Sequence, residues 1–89
     1  MRVNDQFILR TIADETLLIP VGSAAIQVKG LIALSESGAI LYNKLKEDCT
    51  KDALIAALRA EYEVSEEEAR ADTEAFLDQL RQLHMLIED

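Results

Sequence analysis

Residues 30–39 read Gly30-Leu31-Ile32-Ala33-Leu34-Ser35-Glu36-Ser37-Gly38-Ala39, and the change of pattern inside this stretch decides the fold class. The apolar run of residues 31–34 is too short for a helix and fits a strand. At Ser35 the pattern turns helical. Ser35 and Ser37 are alternative N-caps, and Gly38, Leu41, Tyr42 and Leu45 then fall on one helical face. Working outward, everything before this switch reads as strand and everything after it as helix. The expected architecture is α+β, with an N-terminal three-stranded antiparallel sheet followed by three helices, in the manner of a winged helix-turn-helix.

Upstream, residues 7–21 place Phe7-Ile8-Leu9-Arg10-Thr11-Ile12 and Thr16-Leu17-Leu18-Ile19-Pro20-Val21 on either side of the short break Ala13-Asp14-Glu15. Enrichment in β-branched residues on both arms predicts a hairpin. Pro20 cannot donate to a ladder, so it marks the end of the second strand or lies on its free edge. Gly22 and Ser23 open a connection, and residues 24–30 read as a loop leading to the third strand.

Downstream, Asp48, Cys49 and Thr50 break the chain, and Thr50 caps a second helix in which Leu54, Ile55, Leu58 and Tyr62 recur at helical spacing. The third helix has the clearest start. Ser65-Glu66-Glu67-Glu68 is a capping box flanked by a Val64/Ala69 hydrophobic staple, and its three glutamates complement the helix dipole. Ala69, Thr73, Phe76, Leu77, Leu80 and Leu83 form an apolar stripe, so the helix runs to about His84. Met85, Leu86 and Ile87 follow as a short apolar tail.

The 89 residues fit one domain, 1–89, that folds alone; a chain this short buries only about 60–65% of the surface its unfolded form exposes, so its core is thin. Seventeen acidic residues against nine basic ones leave a net charge of −8. That balance disfavours a phosphate backbone or an anionic membrane as the main partner. The single cysteine, Cys49, cannot form an internal disulfide. The opening residues lack the apolar region of a signal peptide, and no stretch is long enough to span a membrane. The expected location is the cytoplasm.

Catalysis or metal binding needs converging ligands or an activated nucleophile, and the inventory is one histidine, one cysteine and no tryptophan. His84 reads as a charge at a helix C-terminus or a residue in a left-handed cap. Only Lys46 and Lys51 stand near Cys49 to lower its pKa. Adjacent glutamates at 66–68 point in different directions and cannot share one ion. The three glycines lack phosphate-loop spacing. We therefore expect neither an enzyme nor a bound metal or cofactor.

Two binding readings remain. A winged helix suggests DNA, but between Ser65 and His84 the third helix carries Glu66, Glu67, Glu68, Asp72, Glu74 and Asp78 against only Arg70 and Arg81, the reverse of a groove-reading helix. The other is recognition of an extended segment, because a three-stranded sheet leaves an edge that can accept a peptide as an extra strand. A purely structural subunit docking on an enzyme is a third possibility.

One further pattern spans almost the whole chain: the hairpin with Asp14-Glu15 at its turn, residues 30–39, Leu45, Thr50, Leu58, Glu61-Tyr62, Val64, the acidic run, Asp72, Phe76-Leu77, Leu80 and Met85-Leu86. It resembles the PqqD-like family, also called the RiPP recognition element. The resemblance implies a non-catalytic domain that binds the leader of a ribosomally made precursor peptide and delivers it to a modifying enzyme, commonly a radical S-adenosylmethionine enzyme. By the same resemblance the leader docks on the third strand and over the third helix, at Leu31, Ile32, Ala33, Leu34, Arg70, Thr73, Phe76, Leu77 and Leu80. Two positions depart from the family pattern: Leu34-Ser35 stands where Leu-Asn is usual, and His84 where glycine is common. We expect a monomer in dilute solution, with dimerisation through an edge strand possible at high concentration.

Overall fold

Strand β2 (Phe7–Ile12) and strand β3 (Glu15–Pro20) pair antiparallel, with Phe7 opposite Pro20 and Ile12 opposite Glu15. They belong to a computed structural model that describes residues 1–27 and 30–88. Only Ala13 and Asp14 are left to turn the chain, and both have positive φ, 50° and 67°. This is the geometry of a type I′ turn, whose twist matches that of the strands it joins. Glu15, expected in the turn, is therefore the first residue of β3. Pro20 ends that strand, as its missing donor requires.

The connection out of the hairpin differs from the expected loop. Ala24–Gln27 form a single helical turn, α1, held by Ala25 N–H to Gly22 O and Ile26 N–H to Ser23 O at 3.2 Å each. Gln6 organises it. Its Oε1 accepts from Ser23 N–H at 3.2 Å and Ser23 Oγ at 2.9 Å. Gly22 has φ 58°, a conformation that favours glycine, and a Cβ there would stand 3.0 Å from that same oxygen, crowding the end of the Gln6 side chain. Residues 28 and 29 of the expected loop lie outside the described residues.

Strand β4 (Ile32–Leu34) completes the sheet in the order β2-β3-β4, with Thr16 opposite Leu34 and Leu18 opposite Ile32. Leu31, expected in this strand, falls outside it and is 56% exposed. The chain then enters three helices: α2 (Glu36–Lys44), α3 (Lys51–Glu61) and α4 (Glu66–Gln82). Each starts on a hydroxyl cap. Ser35 Oγ accepts from Gly38 N–H, Thr50 Oγ1 from Ala53 N–H and Ser65 Oγ from Glu68 N–H, all at 3.1 Å, satisfying donors that the first turn leaves open. Of the two serines offered for α2, Ser35 is the cap.

Strand alternation explains how the sheet meets the helices. Phe7, Leu9, Leu18, Ile32 and Leu34 pack into the core from the inner face, against Leu41, Leu45, Leu54, Leu58, Leu77 and Leu80 of the helices. The stripe expected on α4 is buried at Ala69, Thr73, Phe76, Leu77 and Leu80.

The tail beyond α4 is not loose. Leu86–Ile87 form β5, which pairs antiparallel with β1 (Arg2–Val3). Val3 N–H donates to Leu45 O at 2.9 Å, and Asn4 N–H to Met85 O at 2.8 Å. Between α4 and β5, His84 takes φ 56°. His84 N–H bonds Arg81 O and Met85 N–H bonds Leu80 O, which is the Schellman closure of a helix. Met85 is fully buried, providing the apolar contact that accompanies this cap.

Candidate functional site

β4 is an outer strand of its sheet, so one side of its backbone is left to pair with another extended segment. Pleating sends Ile32 and Leu34 inward and leaves Ala33 exposed. β2 is the other outer strand, but it carries Arg10 mid-strand, and an exposed charge on an edge discourages pairing. β4 has none.

From Leu34 the backbone runs straight into Ser35, and Ser35, Ser37 and Asp72 border two adjoining clefts. One, of about 270 Å³, lies between the first turn of α2 and the middle of α4, with Gly38, Leu41, Ala75, Phe76 and Gln79 completing its walls. Gly38 is buried here, and a Cβ on it would stand 3.3 Å from both Phe76 Cε1 and Ser35 Oγ. The absence of a side chain thus lets Phe76 lie across the helix start. The second cleft, of about 360 Å³, has Tyr62 and Val64 as its apolar part and Glu36 at its rim. The Tyr62 hydroxyl is pushed above its usual pKa, first by burial and then by Glu36 and Glu61. A larger cleft of about 490 Å³ lies by the chain ends, among Arg2, Asp5, Tyr42 and Lys46; it does not touch β4.

The expected contact residues divide by burial. Ile32, Ala33 and Leu34 form the open strand, and Leu31 precedes it in the open. Phe76, 8% exposed, touches the cleft wall. Thr73, Leu77 and Leu80 are 0%, 0% and 1% exposed. They turn to the core and support the α4 face from beneath, because a 3.6-residue stripe on a thin domain is consumed by its own sheet and helices. Arg70 is partly exposed and lies 3.7 Å from Glu66 and 3.9 Å from Asp52. Reasoning from the sequence passed over Ser37, Gly38, Tyr62, Val64 and Asp72 as site residues. The one available signal was a glycine in the first turn of a helix, a costly residue there unless something packs against it.

Chemistry of other kinds finds no support. Among the described residues no group of three or more His, Cys, Asp or Glu could hold a metal, and no helix is long and apolar enough to cross a membrane. Burial pushes the Cys49 thiol above its usual pKa, the opposite of the shift that activates a thiolate. Both arginines of α4 are engaged by carboxylates: Arg70 as above, and Arg81 by Asp78 at 2.7 Å and Glu88 at 2.7 Å.

An open sheet edge beside a helix-lined trough is a geometry on which an extended segment can be added as a strand. The chain belongs to the family of coenzyme PQQ synthesis protein D (PqqD), which it matches over residues 15–86. No curated protein sequence matches it significantly. Its fold is similar to that of TbiB1, solved in complex with the TbiA(beta) leader peptide, at a TM-score of 0.77 and 24% identity over 100% of both chains. It is also similar to lasso peptide synthetase B1, solved in complex with the leader peptide, at a TM-score of 0.75 and 18% identity over 98% of this chain and 96% of the other.

Proposed function

We propose that this protein is a non-catalytic peptide chaperone: it binds the leader of a ribosomally synthesised precursor as an added strand on β4 and presents it to a modifying enzyme. The observation that carries this reading is the uncharged outer edge of β4 running into a partly apolar trough. Family membership and the two leader-bound fold relatives support it. Backbone hydrogen bonds to residues 32–34 supply a sequence-independent part of the affinity, and the trough walls select side chains. Leu31, the partly covered Phe76 and the stem of Arg70 flank the bound segment. The 89 residues act as one domain, in the cytoplasm, as a monomer in dilute solution. We further propose a radical S-adenosylmethionine enzyme as the partner that receives the peptide; this rests on the family alone.

The test is a titration of synthetic leaders, taken from short precursor-like reading frames beside the gene, into isotope-labelled protein. Saturable amide shifts at residues 31–38 and along Asp72, Phe76 and Gln79 are expected. A folded spectrum unmoved by every such leader would overturn the reading.

A further inference from the structure

Among the described residues, the two carboxylates at the trough have no cationic partner. Elsewhere three cations are paired locally: Lys51 with Glu74, Arg70 with Glu66 and Asp52, Arg81 with Asp78 and Glu88. Glu36 and Asp72 have no cationic group within 4.0 Å among the described residues. Both nevertheless border the same cleft of about 360 Å³, beside Tyr62 and Val64. Asp72 also borders the neighbouring cleft against Phe76. The trough therefore combines an apolar surface with negative charge that no described cation pairs, on a molecule of net charge −8. An acidic or neutral segment would seat its apolar groups there but bring nothing to those carboxylates.

Resting on the leader-binding reading above, we infer that the bound segment carries a lysine or arginine next to its apolar anchor. Its side-chain cation is received by Glu36 and Asp72, while its aliphatic stem lies along Tyr62 and Val64. Lys and Arg suit this site because their stems bury against apolar surface while the charged head stays at the wet rim. The occupant is thus a basic-apolar leader. Glu36 and Asp72 set that specificity, and the strand edge does not.

Pairs at a solvent-exposed rim contribute modestly: about 1.5- to 5-fold in affinity each, and less at high salt. The experiment is selection of a random displayed peptide library on immobilised protein, run in parallel on wild type, E36Q/D72N and E47Q/E67Q. The last pair removes two exposed carboxylates that border neither cleft. Wild type and E47Q/E67Q should both enrich Lys or Arg at a fixed spacing from an apolar residue, and E36Q/D72N should lose that enrichment while still selecting the apolar residue. The best wild-type peptide should bind E36Q/D72N about 3- to 20-fold more weakly. Denaturation midpoints establish that all three proteins are folded. Peptides that perturb residues 32–34 without basic preference would overturn this inference and leave leader binding standing. Equal loss in E47Q/E67Q would overturn it by making the effect one of net charge. A trough covered by a second copy of the chain, seen as a dimer in sedimentation that peptide does not dissociate, would overturn it too. No selected peptide on any protein would overturn both readings.

Discussion

His84 has the left-handed backbone that closes α4, where a Cβ is unfavourable and glycine is not. Replacing it with glycine removes that strain at some cost in unfolded-state entropy. We expect His84→Gly to stabilise the domain by about 0.5–1 kcal/mol, read as a higher urea midpoint with unchanged slope. Thr73 is the opposite kind of residue: its backbone is unremarkable, but Oγ1 is buried with no hydrogen-bond partner among the described residues. An orphaned hydroxyl costs free energy that a methyl of the same size would not. Thr73→Val should therefore raise stability by about 1 kcal/mol. If Thr73 only supports the trough from below, leader affinity will be unaltered in the same protein. A large loss of affinity would show that the residue reaches the peptide.

Among the elements, the hairpin and β4 divide the work. The β2–β3 register leaves a two-residue turn built from Ala13 and Asp14, and type I′ turns favour Asn-Gly because both positions need positive φ. Introducing A13N and D14G together should stabilise the protein by about 0.5–1 kcal/mol in thermal melts without disturbing leader binding. A loss of stability would mean that the turn is not the I′ type. β4 has only three residues and few partners, so it owes its place to β3 on one side and to Ile32 and Leu34 on the core. Its brevity limits self-association through the edge while leaving enough backbone for a partner strand.

For the whole molecule, the two chain ends are locked to one another and to the helices. β1 pairs with β5, and Arg81 of α4 grips Glu88 through Nε at 3.1 Å and Nη2 at 2.7 Å. The guanidinium hydrogen bonds hold the Glu88 carboxyl below its ordinary pKa. A carboxylate whose folded pKa is depressed contributes stability that is fully present above its unfolded value, and this is lost as pH falls through the lower folded value. Acidification below about pH 4.3 should therefore erode stability more steeply in wild type than in Glu88→Gln. Denaturation midpoints measured across that range check it; parallel curves would sink the assignment.

The local text of the chain determined the elements. β-Branched residues on either side of a polar break set the hairpin, hydroxyl caps at Ser35, Thr50 and Ser65 began the helices, and the stripe on α4 announced a buried face, because each of these is a short-range preference written in neighbouring residues. The family and the α+β class followed from their order. What tertiary structure alone decided lies in contacts between distant residues. The turn at 24–27 depends on Gln6 reaching Ser23; β5 exists only because residues 2–3 lie alongside it; His84 is tolerated because Met85 is pulled into the core. The candidate site divides in the same way. Residues 32–34 were legible as an edge, but which face of α4 stays open depends on the sheet and helices that cover the rest. A trough made by Gly38, Tyr62, Val64 and Asp72 from three separate segments has no period along the chain by which to be read.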